Sequence, residues 1–224
     1  MLALAGSGEY LPAMDPVDRH LLAHLKEPAR VVCLPTGAGT EGEERLRYWM
    51  VLGEKHFKRL GVEQVESLPV FNRSGAEDPG LVERVNNANF VYISGGKPYY
   101  LMDSFTDTPL AEAILGVLKR GGVVAGCSAG AMIFGERVPN RSFLGDSRPG
   151  FALIPGTFIV PHFNEIPFVA KFALPGLMGN LRMIGIEGNT ALVCCGDVCY
   201  AAGSGGVTIQ AGNEKQRYLA MDDF

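Results

Sequence analysis

No stretch of this sequence stays apolar over the roughly 18 residues that a membrane-crossing helix requires. The opening run Met1-Leu2-Ala3-Leu4-Ala5-Gly6 is too short for the apolar region of a signal peptide and has no basic residues before it. A cytoplasmic protein with no membrane partner is expected. An excess of positive charge is also missing. Twenty Lys and Arg stand against 24 Asp and Glu, a net charge of −4, so nothing draws the chain as a whole to nucleic acid, and a small or peptidic partner is expected. No internal repeat, low-complexity tract or linker interrupts the 224 residues, which implies a single domain over residues 1–224. Cysteines are few and odd in number: Cys33, Cys127, Cys194, Cys195 and Cys199. Several lie in apolar, strand-like runs, so buried free thiols are expected rather than a disulfide framework. The Cys195-x3-Cys199 spacing has no second pair and no neighbouring histidine, so no metal site is expected.

What is present is a rhythm of strands and helices. Met1–Ala5, Arg30–Leu34, Val65–Val70, Phe90–Ile93 and Val123–Ala125 read as strands, several of them continuous apolar runs. Between them, Asp15-Pro16, Thr40 followed by Glu43, Asp78-Pro79 and Thr108-Pro109 read as helix starts, and Gly61 as a helix stop. Strands that read as continuous apolar runs are buried on both faces, and their alternation with helices implies parallel pairing. The expected fold is therefore α/β, a doubly wound and mostly parallel sheet. The last third differs. Phe158–Val160, Ala191–Cys195, Val198–Ala202 and Val207–Gln210 are strand-like, and Gly196-Asp197 suits a tight hairpin, so antiparallel strands are expected at the C-terminal edge.

The strand Val123–Ala125 runs into Gly126-Cys127-Ser128-Ala129-Gly130, and a helix-forming stretch follows. In this strand–turn–helix setting, Gly-x-Ser-x-Gly allows a sharp turn that presents the serine hydroxyl at the carboxyl end of the sheet. Ser128 is the expected nucleophile. The Ala129 N–H, at the start of the helix, is an expected oxyanion donor. Cys127 carries the more nucleophilic group but lacks the flanking glycines, and packing is its expected role.

A second glycine turn, Ser94-Gly95-Gly96-Lys97, follows the strand Phe90–Ile93 and emerges at the same end of the sheet. Gly96 N–H is the expected second oxyanion donor, with Gly95 next in line. Lys97 is a candidate for binding a substrate carboxylate. Of the four histidines, His20, His24 and His56 fall in helical stretches among charged residues, where a solvated role is expected. His162 follows a strand and Pro161, where the catalytic groups of an α/β sheet gather, and with the serine turn present it is the expected base rather than a structural histidine. Glu187, between two apolar runs, is the expected acid that orients the imidazole. Glu165 competes for that role but is expected to be solvated.

These motifs together resemble the dipeptidase E and cyanophycinase family of serine peptidases, within the class I glutamine amidotransferase-like (flavodoxin-like) fold. The markers are Leu4-Ala5-Gly6-Ser7-Gly8-Glu9, Ile93-Ser94-Gly95-Gly96, the Ser128-Ala129-Gly130-Ala131 turn, Pro161-His162-Phe163 and Gly185-Ile186-Glu187. The resemblance implies a Ser128-His162-Glu187 triad with oxyanion donors at Gly96 and Ala129, no cofactor, and a homodimer. It also implies cleavage of a small, aspartyl-dipeptide-like peptide or isopeptide through an acyl-enzyme. Lys97-Pro98-Tyr99-Tyr100 departs from the family pattern after the glycine pair, so a different substrate pocket is expected. The rival readings are a small-ligand binding protein on the same fold without catalysis, and an amidohydrolase or esterase acting on a non-peptide substrate.

Overall fold

A computed structural model describes residues 1–140, 147–169, 171, 174 and 179–220. In its first half, strands and helices follow one another: β1 (Leu2–Ala5), α1 (Asp15–Ala23), β2 (Arg30–Leu34), α2 (Glu43–Arg59), β3 (Gln64–Ser67), α3 (Arg73–Glu77), α4 (Pro79–Asn87), β4 (Phe90–Ile93), α5 (Pro98–Phe105), α6 (Pro109–Lys119), β5 (Val123–Cys127) and α7 (Ala129–Met132). The second half is mostly strand: β6 (Arg137–Pro139), β7 (Ser147–Pro149), β8 (Thr157–Val160), β9 (Arg182–Ile186), β10 (Thr190–Cys195), β11 (Val198–Gly203), β12 (Gly206–Ala211) and β13 (Glu214–Leu219).

Seven strands form the main sheet in the order β11-β10-β1-β5-β4-β2-β3. Its five first-half strands are parallel, and β10 and β11 run antiparallel at one edge, as the sequence implies. The central strands β1, β5 and β4 are buried throughout because alternate residues feed two cores. Leu2, Leu4, Val91, Ile93 and Val124 pack on the face covered by α6, through Leu110, Ile114 and Val117. Ala3, Ala5, Phe90, Tyr92 and Ala125 pack on the other, against Val17 and Leu21 of α1 and Phe57 of α2. A layer of helices on each face is what makes a wholly apolar strand stable.

The sequence does not announce the second sheet, of order β13-β12-β9-β8, in which β8 and β9 are parallel. Ile159, Ile184, Ile186 and Val207 join the core on the α6 side, while Phe158, Val160, Phe163 and Met183 form a small core of their own.

Several local expectations change. Asp78 and Thr108 cap their helices, accepting from Gly80 and Leu81 N–H and from Ala111 N–H respectively. Asp15, expected as a cap, is instead the first helical residue, and its carboxylate pairs with Arg59. Helix α2 begins at Glu43 after Gly42, without the expected Thr40 capping box. Strand β3 ends at Ser67, short of Pro69, which has no N–H for a ladder. His56, expected to be solvated, is buried on the face of α2 that meets α1, where its Nε2 lies 2.8 Å from Oδ2 of buried Asp18. The expectation of free thiols fails at one pair, since Cys194 and Cys199 form a disulfide. The Gly196-Asp197 hairpin, with Gly196 at φ 59°, sets those two residues directly opposite each other on β10 and β11. Cys33 and Cys127 are free and buried, and Cys195 is free and exposed. Among the described residues, no helix is long and apolar enough to cross a membrane.

Candidate active site

The site forms where β1, β5 and β4, three neighbours at the sheet centre, end together. The last residue of β5 is Cys127, and Ser128 takes φ 52°, ψ −115° before α7 begins. A positive φ is costly for a residue with a Cβ, so this turn is held by its surroundings. Ser128 N–H donates to Ala5 O at 2.9 Å, tying the turn to β1. Close backbone contact explains both flanking glycines. A Cβ on Gly126 would lie 2.2 Å from Gly130 O, and one on Gly130 would lie 2.4 Å from Ile93 O.

His162 comes from the end of β8, beyond Pro161. It too has a positive φ, 54°, and its N–H reaches Gly6 O at 3.3 Å. The chain then closes a single 3-10 turn, Phe163–Glu165, in which Glu165 N–H donates to His162 O at 2.9 Å. Phe163 is seated on β9, where a Cβ at Gly185 would come within 2.5 Å of its ring. This anchorage directs the imidazole at the serine, and Ser128 Oγ lies 3.1 Å from His162 Nε2. On the other side of the ring, Nδ1 lies 3.1 Å from both Oε1 and Oε2 of Glu165.

The structure therefore brings Ser128 and His162 together, but it does not bring Glu187 to the imidazole. The Glu187 carboxylate receives Arg217 Nε and Nη2, each at 2.9 Å, and Gly206 N–H at 3.0 Å. The Arg217 guanidinium is the main reason that the Glu187 carboxyl titrates below its ordinary range. The carboxylate facing His162 is that of Glu165. Its signal in the sequence is the three-residue spacing from His162, which one turn of 3-10 helix makes a contact.

The oxyanion candidates separate in the same way. Gly96, with φ 132°, is held where a Cβ would lie 2.1 Å from Gly37 O, and Lys97 N–H donates to that same Gly37 carbonyl at 2.9 Å. Among the described residues, the N–H groups of Gly96 and Ala129 have no protein acceptor. Gly95 is different. Its N–H donates to Glu9 Oε2 at 2.8 Å and is thereby committed, which removes it from the reserve of oxyanion donors. Cys127 is buried, and desolvation, with Glu9 close by, holds its thiol well above the usual range, so it stays protonated.

Two clefts meet at Ser128. One, of about 320 Å³, is lined by Glu9, Arg45, Tyr48, Trp49, Ser128 and His162, among others. The second, of about 510 Å³, has Lys97, Ala129, Pro161, His162, Glu165 and Ile166 in its wall, with exposed Lys97 at the rim. Among the described residues, no three His, Cys, Asp or Glu side chains converge as metal ligands.

A serine on a strained strand–turn–helix, hydrogen-bonded to a histidine at the carboxyl end of a parallel sheet, is the arrangement of a serine hydrolase. The model of peptidase family S51 matches residues 1–200, and the chain belongs to that family. A cyanophycinase of Geminocystis herdmanii is 28% identical over 178 residues, covering 72% of this chain and 65% of that protein. One from Nostoc sp. is 30% identical over 169 residues, covering 68% and 55%. The chain thus spans between half and two thirds of the length of these cyanophycinases. The crystal structure of a peptidase from an acI-B1 Actinobacterium superposes with a TM-score of 0.88 at 37% identity, covering 99% of this chain and 94% of the other. A structure from Listeria monocytogenes, 18% identical with a TM-score of 0.62 over 98% of both chains, shares the fold. The family read from the glycine turns and the Ser-Ala-Gly-Ala run is the one these matches return.

Proposed function

We propose that the chain is a serine peptidase that cleaves a small, aspartyl-dipeptide-like peptide or isopeptide through an acyl-enzyme, with Ser128 as nucleophile, His162 as base and Glu165 as the acid that orients it. The observation that carries this reading is the 3.1 Å contact between Ser128 Oγ and His162 Nε2 on a strained turn. With Nδ1–H donating to Glu165, the lone pair of Nε2 faces the serine O–H. As Oγ attacks the carbonyl carbon, Nε2 takes its proton, and Glu165 offsets the charge that develops on the ring. The Gly96 and Ala129 N–H groups stabilise the oxyanion. The C–N bond breaks as His162 hands its proton to the leaving amine. Water then enters, His162 removes a proton from it, and attack on the ester carbonyl releases the acid and returns the proton to Ser128. Lys97, at the rim of the second cleft, supplies a cation for the carboxylate of the leaving residue. The protein acts on a soluble small peptide and needs no cofactor for these steps.

The test is a panel of aspartyl dipeptides, isoaspartyl dipeptides and simple esters, assayed beside a fluorophosphonate probe. Turnover of a dipeptide together with covalent labelling supports the reading. Labelling with ester turnover alone points to a non-peptide substrate, and no labelling at all points to a binding protein.

A further inference from the structure

Two carboxyl groups in the clefts have no part in these steps: Glu41, which is paired with Arg45, and Glu9, which among the described residues is not paired. Glu9 follows the Gly6-Ser7-Gly8 turn at the end of β1 and lines the 320 Å³ cleft together with Ser128 and His162. One link between Glu9 and Ser128 is a single backbone unit. Gly95 N–H donates to Glu9 Oε2 at 2.8 Å, and a Cβ built on Gly95 would lie 3.4 Å from that oxygen and 3.1 Å from Ser128 Cβ. Burial raises the Glu9 pKa to about 7, against the smaller lowering effects of Gly95 N–H, Cys127 and Arg45. The cation in the same cleft is engaged elsewhere. Arg45 Nε lies 3.4 Å from Glu41 Oε2, and its guanidinium stands 4.8 Å above the Tyr48 ring and 4.9 Å above that of Trp49. Glu9 has no ion pair among the described residues. A desolvated carboxylate that lacks a counter-ion gains most from a cation brought to it.

Both clefts have Ser128 and His162 in their walls, and a substrate that spans them places one side of its scissile bond in each. With the leaving residue in the cleft that holds Lys97, the cation for its carboxylate, the leaving amine meets His162 Nε2 there. The acyl residue on Ser128 then occupies the other cleft, on the Gly95 side, beside Glu9.

We propose that Glu9 receives the free primary ammonium of the residue that acylates Ser128, so that the site selects short peptides with an unblocked amino terminus. The proposal rests on the serine-peptidase reading, and it makes Glu9 a determinant of specificity.

The test compares kcat/KM for an aspartyl dipeptide and for its N-acetylated form, in the wild type and in Glu9→Gln. Glutamine keeps an oxygen for Gly95 N–H, so the loop contact survives while the charge is lost. The wild type is expected to favour the free amine by roughly 10- to 100-fold, the worth of one charge-assisted hydrogen bond, and Glu9→Gln to reduce that ratio to within about threefold of unity. A wild type that hydrolyses both substrates equally overturns the proposal without any variant. So does a Glu9→Gln variant that keeps the full preference, or one in which both substrates fall together and the ratio stands. Fluorophosphonate labelling in each sample reports separately on Ser128. Absent labelling in the wild type is a failure of the hydrolytic reading, whereas intact labelling with an unchanged ratio is a failure of the Glu9 assignment alone.

Discussion

The carboxylate of Glu165 faces His162 Nδ1 at 3.1 Å, while that of Glu187 is turned away from the imidazole into a bidentate pair with Arg217. Substitution separates the two acids. Glu165→Gln is expected to lower kcat by roughly 10²–10⁴, because the ring loses the group that fixes its tautomer and offsets its charge. Glu187→Gln is expected to leave kcat within about threefold. Steady-state kinetics of the two variants decides between them, and the reverse pattern would move the orienting role to Glu187.

The Glu187–Arg217 pair carries a pH signature of its own. Arg217 lowers the Glu187 carboxyl from its ordinary value of 4.5, so the folded protein holds the ionised form more firmly than the unfolded chain does. That contribution is complete above about 4.5 and disappears as the pH falls through the lowered folded value. Glu187→Gln should therefore melt below the wild type at pH 7, and the gap should close in acid. A gap in Tm that is independent of pH would contradict this.

Glu9 has the opposite sign. Its folded pKa of about 7 lies above its ordinary 4.5, so the carboxylate is disfavoured in the fold. Its favourable contribution is complete below about 4.5 and is lost as the pH rises through about 7. In the absence of substrate, Glu9→Gln is expected to be more stable than the wild type at pH 8, by about 1–3 kcal/mol, and close to it at pH 4. Urea unfolding at the two pH values measures the difference, and equal stability at pH 8 would sink the claim that this carboxyl is desolvated.

Much of this arrangement was legible in the sequence, for identifiable reasons. The central parallel strands β1, β5 and β4 declare themselves as apolar runs because both of their faces are covered. Gly126, Gly130 and Gly96 mark points where backbones come too close for a Cβ, and those points lie around Ser128. Glu165 was harder to read, because its contact with His162 depends on a positive φ at a histidine, which residue type does not announce. Arg217 lies on β13, a strand of exposed residues with no apolar alternation. Without that strand, nothing in the sequence reveals that Glu187 already has a partner. The second sheet depends on pairing β8 with β9, which are separated by a long connection, and local pattern does not determine such pairs.

The buried His56–Asp18 pair tests a part of the fold remote from the site. Asp18→Ala leaves His56 buried without its 2.8 Å partner and is expected to cost about 3–5 kcal/mol in chemical unfolding, with kcat per folded molecule unchanged. A loss below about 1 kcal/mol would show that His56 is satisfied without Asp18.

Ser128, activated by His162, is expected to become acylated. The most direct measurement is mass spectrometry of the intact protein and its peptides after exposure to a fluorophosphonate, for the wild type and for Ser128→Ala. One adduct per wild-type chain is expected, located on Ser128, and none on the Ser128→Ala variant while its melting temperature stays near that of the wild type. Equal labelling of the two proteins, or an adduct on another residue, would contradict it.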